Sequence, residues 1–440
     1  MLPNAPTPTG VGHQQNEPPT DPGRFRVPFR PSGRRVPGSG RERHARRGAH
    51  VWTWTALLIT VGVLVAVGSF ELASPPGCAA DTNASGQGLA AAPASLVVRV
   101  GSSTPVATPS SVAGGLVAGL NDHPVWLRCS QNVAFSLIRA SHAKAVRIDV
   151  PWDVLQPDAK NTWDPLRVAL IDDYVRRAAA AGIDVLMVVT NAPPWANGST
   201  DPHVAPLNNT DYADYLAQLM ARYPSVHEYE IWNEPNGGWA WTNPNPVKYA
   251  ALLKVAYTRA KQVNPSVTIL APSLSGPDQA SFLDRFYAAG AKNYFDAFSM
   301  HGYWWNLNGS TVLPYYNPAN PDQSIFGAFT TRILPVMTTY RDAAKPVWWT
   351  ETGIATQGSI TTPTDEAAKI DQAFTAWRAG AIPTMTRLYW YSAIDTIGTG
   401  AEQNFGLVNL TGTSPTTPNP GDFAPKPAYT HYQTQAAKLG

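Results

Sequence analysis

From about residue 112 onward the chain alternates between two kinds of segment, and this alternation restricts the fold more than any other feature. Eight short apolar runs recur: GGLVAGL, AVRIDV, DVLMVVT, VHEYEIW, VTILAPS, FDAFSM, PVWWTE and TRLYWYS. Between them lie helix-length amphipathic segments such as PLRVALIDDYVRRAAAAG and NPVKYAALLKVAYTRAKQVN. A third, DEAAKIDQAFTAWRAG, ends on Gly380, as a helix stopped by a left-handed residue should. Parallel strands need a crossover connection, so strands separated by helices imply a parallel α/β sheet. Eight of them close a (β/α)8 TIM barrel. A doubly wound open sheet is the alternative; it usually has fewer strands and often a GxGxxG loop, a motif this sequence lacks. No repeat of solenoid length is present.

The region before the barrel has a different composition. Residues 1–50 carry nine arginines against Glu17, Asp21 and Glu42. Of the 33 basic and 31 acidic residues in the chain, 24 and 28 then remain for the rest, so the net charge of +2 hides a mildly acidic folded part. That argues against nucleic acid as a partner. Rich in Pro, Gly and Arg, residues 1–50 read as a disordered cytoplasmic tail. The uncharged run VWTWTALLITVGVLVAVGSF, residues 51–70, is long enough to span a bilayer and follows RERHARRGAH. By the positive-inside rule a transmembrane signal anchor over 51–72 leaves everything beyond it exported. A cleaved signal peptide and secretion is the rival; its basic region would be unusually long. Lipid modification at Cys78 fits poorly, because Pro75 stands where an aliphatic residue is wanted. Residues 73–111 read as an extracytoplasmic linker, within which SLVVRV is a candidate short strand, and 112–440 as the catalytic-size domain. Cys78 and Cys129, the two cysteines, do not establish a disulfide. No Cys/His grouping has metal-ligand spacing, so no metal or cofactor is expected.

In a (β/α)8 barrel the functional side chains gather where strands end and βα loops begin. Applied to this chain, the rule selects Arg147, Asp149 and Trp152 after strand two, and Asn191 and Trp195 after strand three. Asn233 and Glu234 follow strand four, and His301, Tyr303 and Trp304 strand six. Glu351 ends strand seven, and Trp390, Tyr391 and Asp395 lie at or past the end of strand eight. Fifteen tryptophans supply flat faces on which the C–H faces of sugars can stack. Two glutamates facing each other across a barrel mouth suit glycoside hydrolysis, one protonating the leaving oxygen and the other attacking the anomeric carbon. Retention needs the carboxyls about 5–5.5 Å apart, and a wider gap gives inversion. The acid needs a raised pKa, the nucleophile an ionised one.

IWNEPN and WWTETG, set in eight strand signals, resemble glycoside hydrolase clan A, and above all its family 39 and family 5 (cellulase-like) enzymes. VRIDVPWDVLQP, PPWA and the closing Lys426-Pro427-Ala428-Tyr429 are similar to strand-two, strand-three and final-helix segments of these families, so the likeness covers most of 112–438. It implies a retaining β-glycosidase with Glu234 as acid/base and Glu351 as nucleophile. It further implies that Asn233 holds the sugar 2-hydroxyl, Tyr303 orients Glu351, Arg147 supports that carboxylate, His301 lines the central subsite and Trp390 forms its floor. TETG lacks the aromatic that some relatives carry after the nucleophile, and AGLND matches weakly at strand one.

Plainer readings exist for each residue. Either glutamate could form a structural ion pair, His301 could be a core histidine and Arg147 a strut. Trp152, Trp195, Trp239, Trp241, Trp304 and Trp305 could simply pack. Glu230, deeper on strand four, is expected to be structural. The sequence therefore predicts a membrane-anchored retaining hydrolase, monomeric in its catalytic domain, acting on an oligo- or polysaccharide of the envelope or an exopolysaccharide. A transglycosylase, a non-catalytic carbohydrate-binding barrel and an envelope structural protein are the rival functions.

Overall fold

The computed structural model describes residues 115–126, 131–276, 279–303, 313–356, 361–396, 403–411 and 422–439. The tail, the apolar run at 51–70, the linker, both cysteines, Trp304, Trp305 and Glu402 lie outside them. Among the described residues no helix is long and apolar enough to cross a membrane.

All eight sequence-predicted strands form. They are β1 (Val117–Asp122), β2 (Ala145–Asp149), β3 (Asp184–Val189), β4 (Glu228–Ile231), β5 (Thr268–Leu274), β6 (Ala297–His301), β7 (Val347–Thr352) and β8 (Met385–Trp390). Each pairs in parallel with its neighbour in sequence, and β8 pairs with β1 to close the barrel. The helices begin and end where their caps dictate. α1 (Pro165–Ala181) starts on Asp164, whose carboxylate accepts from the Leu166 and Arg167 N–H groups, and stops at Gly182 with φ 65°. α2 (Pro246–Val263) is capped by Asn245 in the same way. α3 (Pro363–Arg378) opens with a Thr362/Asp365 capping box. Its left-handed stop is Gly380, one residue beyond the C-cap, at φ 75°.

The barrel interior is filled in layers. At the floor Arg387 pairs with Glu228 at 2.6 Å and its guanidinium lies 4.2 Å from the Trp348 ring centroid. Ala145, Leu186, Leu270, Ala297, Trp348 and Tyr389 form an apolar layer there. Gly119 on β1 leaves room for Tyr389: a Cβ at 119 would lie 2.4 Å from that ring. Residues of opposite parity, such as Leu388 and Trp390, pack outward into the main core beneath the helices.

The closing segment is tied to the barrel by a buried charge. Lys426 Nζ donates to Asp395 Oδ1 at 2.9 Å, Thr356 Oγ1 at 3.0 Å and the Asn404 carbonyl at 3.2 Å. Its side chain is fully buried, which joins the β7 and β8 loops to the N-terminus of α4 (Pro427–Ala437). Lys426→Met leaves Asp395 buried without its cation and is expected to destabilise by about 3–5 kcal/mol. Urea unfolding measures this, and Lys426→Met/Asp395→Leu should recover part of the loss. A midpoint unmoved by the single change contradicts the assignment.

Candidate active site

Arg147, pointing inward from the middle of β2, organises the mouth of the barrel. Its Nε donates to Glu230 Oε2 at 2.7 Å, and its Nη1 to Asn121 Oδ1 at 2.9 Å and Glu351 Oε1 at 2.6 Å. Nη2 donates to Asn233 Oδ1 at 2.9 Å. Burial works against the guanidinium charge, but Glu230, Glu351 and Asp149 outweigh it and hold the proton far more tightly than usual. Glu230 is fully buried and also accepts from Thr350 Oγ1 at 3.0 Å, so it is the structural acid beneath the site. Because a guanidinium only donates, Asn233 must turn its oxygen toward Arg147, which aims its amide N–H groups away from the arginine.

Two backbone irregularities set the carboxylates. After β4 the chain leaves extended geometry, with Trp232 at φ 65° and Glu234 at φ 43°. Non-glycine residues in this region are uncommon and gather at functional sites. On the opposite side β7 carries one extra residue: Met300 and His301 are successive on β6 but pair with Trp349 and Glu351. This bulge lets Thr350 and Glu351 both face inward, where strict alternation would send one of them out. Glu351 then receives Tyr303 Oη at 2.8 Å on Oε2 in addition to Arg147 on Oε1.

Glu234 has its own set of donors. His301 Nδ1 lies 2.6 Å from Oε1, and the Trp239 indole N–H donates to Oε2. Glu234, His301 and Glu351 present one atom each within 4.8 Å of one another. That spacing would also suit a cation, but a cation would have to displace the His301–Glu234 hydrogen bond and sit beside the guanidinium on Glu351.

Burial pushes the Glu234 carboxyl up, yet the hydrogen bond and charge of His301, with donation from Trp239 and Ser275, hold it below its ordinary 4.5. Burial likewise pushes the His301 imidazolium down, and the charge of Glu351 with the bond to Glu234 carries it above its ordinary 6.5. The raised acid that the sequence reading requires is therefore not present on Glu234 alone. His301 and Glu234 form a hydrogen-bonded pair across which a proton can pass.

The structure moves several sequence-predicted residues out of the site. Trp390 is fully buried and packs outward near Tyr315, ring centroids 6.0 Å apart, so it cannot be a stacking floor. Arg387, Tyr389 and Tyr391 share the other parity, and the partly exposed Tyr391 borders Tyr303 at 6.1 Å and His123 at 5.5 Å. Trp152 is fully buried and stacks on Tyr215 at 5.5 Å; it too cannot touch a sugar. Trp195 meets Trp152 edge-on at 5.0 Å and donates to the Gln156 carbonyl at 2.8 Å, a packing role. Of the tryptophans around Glu234, Trp232 and Trp241 are core, while Trp239 is 59% exposed.

The sequence reading missed Asn121 and His123. His123 Nδ1 pairs with Asp149 Oδ2 at 2.5 Å, and its buried Nε2 has no partner among the described residues. The only signal was NDH directly after a strand.

Residues 108–390 match the family model "Cellulase (glycosyl hydrolase family 5)". The chain belongs to glycosyl hydrolase family 5. Among solved structures it resembles a family 39 glycoside hydrolase from the gut symbiont Bacteroides cellulosilyticus WH2, at 24% identity and TM-score 0.57, over 74% of this chain and 64% of that one. A monomeric β-xylosidase from Caulobacter crescentus CB15 aligns at 19% identity and TM-score 0.54, over 74% and 70%. An exo-β-1,4-mannosidase from Opitutaceae bacterium strain TAV5 aligns at 16% and 0.53, over 74% and 60%. The chain thus spans less than two thirds of the first and third of these, and at such identities they speak for the barrel fold. No curated protein matches the sequence.

The His301–Glu234 pair makes a pH prediction. Glu234 is depressed, so its contribution to stability is present above pH 4.5 and is lost as pH falls through the folded value. His301 is raised, so its contribution is present below pH 6.5 and is lost as pH rises through the folded value. The Tm gap between wild type and His301→Asn is expected to be widest between these two values and to narrow on both sides. A gap independent of pH contradicts the charged pair.

Proposed function

We propose that this family 5 member is a retaining glycosidase of β-linked glycans, working by double displacement. The observation that carries the reading is a pair of buried carboxylates at the ends of β4 and β7, with oxygens within 4.8 Å and different donors on each. Carboxylates that approach each other this closely favour direct attack over the wider spacing that leaves room for a water on the inverting path.

Arg147 and Tyr303 hold the Glu351 carboxylate from both oxygens, aimed at the anomeric carbon. As a Glu351 oxygen forms its bond to that carbon, the glycosidic C–O bond breaks, and Glu234 delivers a proton to the departing oxygen. The proton comes from the one shared with His301, which leaves Glu234 an anion ready for the second half. Glu234 then takes a proton from water, the hydroxide oxygen bonds to the anomeric carbon, and Glu351 is released. The amide N–H of Asn233, whose oxygen is taken up by Arg147, donates to the sugar 2-hydroxyl in this reading, a contact that strengthens as the oxocarbenium-like transition state forms. Tyr391 offers the partly exposed ring that Trp390 does not, and His123 Nε2 beside it, without a partner among the described residues, offers a hydroxyl contact.

We also propose that the apolar run 51–70 anchors the chain, with the barrel outside the membrane acting as a monomer on envelope glycan or exopolysaccharide. The basic segment before the run and the Pro/Ser/Ala-rich one after it support that reading.

The test uses aryl β-glycosides and β-linked disaccharides of glucose, xylose and mannose. Proton NMR of the first-formed product should show retained configuration; inversion overturns the mechanism. Glu234→Ala should lower kcat/KM for an unactivated disaccharide by about 10²–10⁴-fold, and much less for a dinitrophenyl glycoside, whose leaving group needs no proton. Unchanged turnover in Glu351→Gln would sink the assignment of the nucleophile.

A further inference from the structure

Tyr303 holds Glu351 by a single hydroxyl, and the alignment of that hydroxyl depends on what holds the Tyr303 ring. The backbone beside it is fixed: the Gly302 N–H donates to the Glu351 carbonyl at 2.8 Å, and Thr352 Oγ1 donates to the Gly302 carbonyl at 3.0 Å. The last torsion of a tyrosine is a broad well, so packing rather than rotamer preference must set the plane of the ring. Its hydroxyl stands at the far end of the side chain, where a small tilt of the ring breaks a 2.8 Å bond to Glu351 Oε2. The rings around it are His301, Tyr391 and Phe405, met edge-on at centroid distances of 6.4, 6.1 and 5.7 Å. Phe405 also meets Tyr391 edge-on at 5.6 Å, so Tyr303, Tyr391 and Phe405 close into a trio of mutually perpendicular packing.

Phe405 is buried, carries no polar side-chain atom and comes from the loop after β8. That loop is pinned on both sides of the ring. The Phe405 carbonyl accepts from the Ser392 N–H at 3.0 Å, and the Leu407 N–H donates to the Ser392 carbonyl at 2.9 Å. The Gly406 N–H donates at 2.8 Å to Asp395 Oδ1, the oxygen that also receives Lys426. A Cβ at Gly353, two residues past the nucleophile, would lie 3.3 Å from Cδ1 of the Phe405 ring, so the exit of β7 forms another wall of its slot. Resting on the double-displacement reading above, we propose that Phe405 is a positioning residue for the nucleophile. Its ring keeps the Tyr303 hydroxyl on Glu351 and, through the same trio, sets the Tyr391 ring beside the bound sugar. The nucleophile is thereby aligned from the closing segment of the chain: Lys426 and Asp395 fix the loop, the loop fixes Phe405, and Phe405 fixes the phenol.

The test follows dinitrophenolate release from a 2-deoxy-2-fluoro dinitrophenyl β-glycoside of the best of the three sugars above. Its saturating rate constant reports the first step alone, and its half-saturating concentration reports binding. Tyr303→Phe should lower the rate constant by about 10–100-fold, as loss of one hydrogen bond to a charged group does. Phe405→Ala should lower it about tenfold with Tyr303 in place, because the hydroxyl is present but misaligned. In a Tyr303→Phe background the same change should lower it by no more than about twofold, since the hydroxyl that Phe405 positions is already gone. The half-saturating concentration should rise in both backgrounds, through Tyr391. Phe405→Leu, which keeps the bulk and loses the flat ring, should show the same pattern with smaller losses, and it carries the test if Phe405→Ala does not fold. Equal losses of rate in both backgrounds mark a merely structural side chain and overturn the positioning role, as does no loss in either. In both cases a wild type labelled on Glu351 leaves the mechanism standing. A wild type labelled elsewhere removes the double-displacement reading with Glu351 and the positioning role with it.

Discussion

A single buried guanidinium holds the upper half of this barrel together. Arg147 stands between Glu230 and Glu351 and also donates to Asn121 and Asn233, so it joins β1, β2, β7 and the loop leaving β4. Each partner would be costly to bury alone: a carboxylate without a cation is strongly destabilising in a dry interior. Together they form a hydrogen-bonded plug that closes the interior above the apolar layer and fixes the two atoms that matter most at the mouth. One is an oxygen of Glu351, the other the side-chain oxygen of Asn233, whose orientation follows from having only donors to meet.

The second constraint is the separation of roles between chemically identical side chains. Glu351 is held by a permanent cation and a phenol, neither of which can supply a proton during the reaction at ordinary pH. Glu234 is held by an imidazole and an indole, and the imidazole can exchange a proton with it. The difference comes from the backbone rather than from the side chains. A bulge in β7 turns Glu351 inward beside Thr350, and left-handed residues after β4 carry Glu234 out of strand geometry toward His301. The fold supplies the scaffold, and two local departures from its regularity make the site.

That contrast also explains what could be read from the sequence. The barrel was legible because eight strand-length apolar runs alternate with helix-length segments, one of them stopped by Gly380. Glu234 and Glu351 were legible through the motifs around them, and Glu230 through its depth on β4. Trp390 was misread because the resemblance pointed to an aromatic at that strand end, while alternation from Arg387 through Tyr389 puts Tyr391 at the mouth. Trp152 and Trp195 sit at strand ends in sequence, but they turn back into an aromatic cluster with Tyr215 and Tyr212. The lowered carboxyl of Glu234 could not be foreseen, because it depends on a histidine 67 positions away and on an indole that the loop brings back.

The central claim is that Glu351 is the nucleophile and Glu234 is not. It is tested most directly by incubating the enzyme with a 2-deoxy-2-fluoro β-glycoside carrying a dinitrophenolate leaving group, then measuring intact mass and mapping the modified peptide. Replacing the 2-hydroxyl by fluorine slows both steps, and the activated leaving group lets the first outrun the second. The account predicts one glycosyl residue per chain, attached to Glu351. Attachment to Glu234 or to any other residue would contradict it.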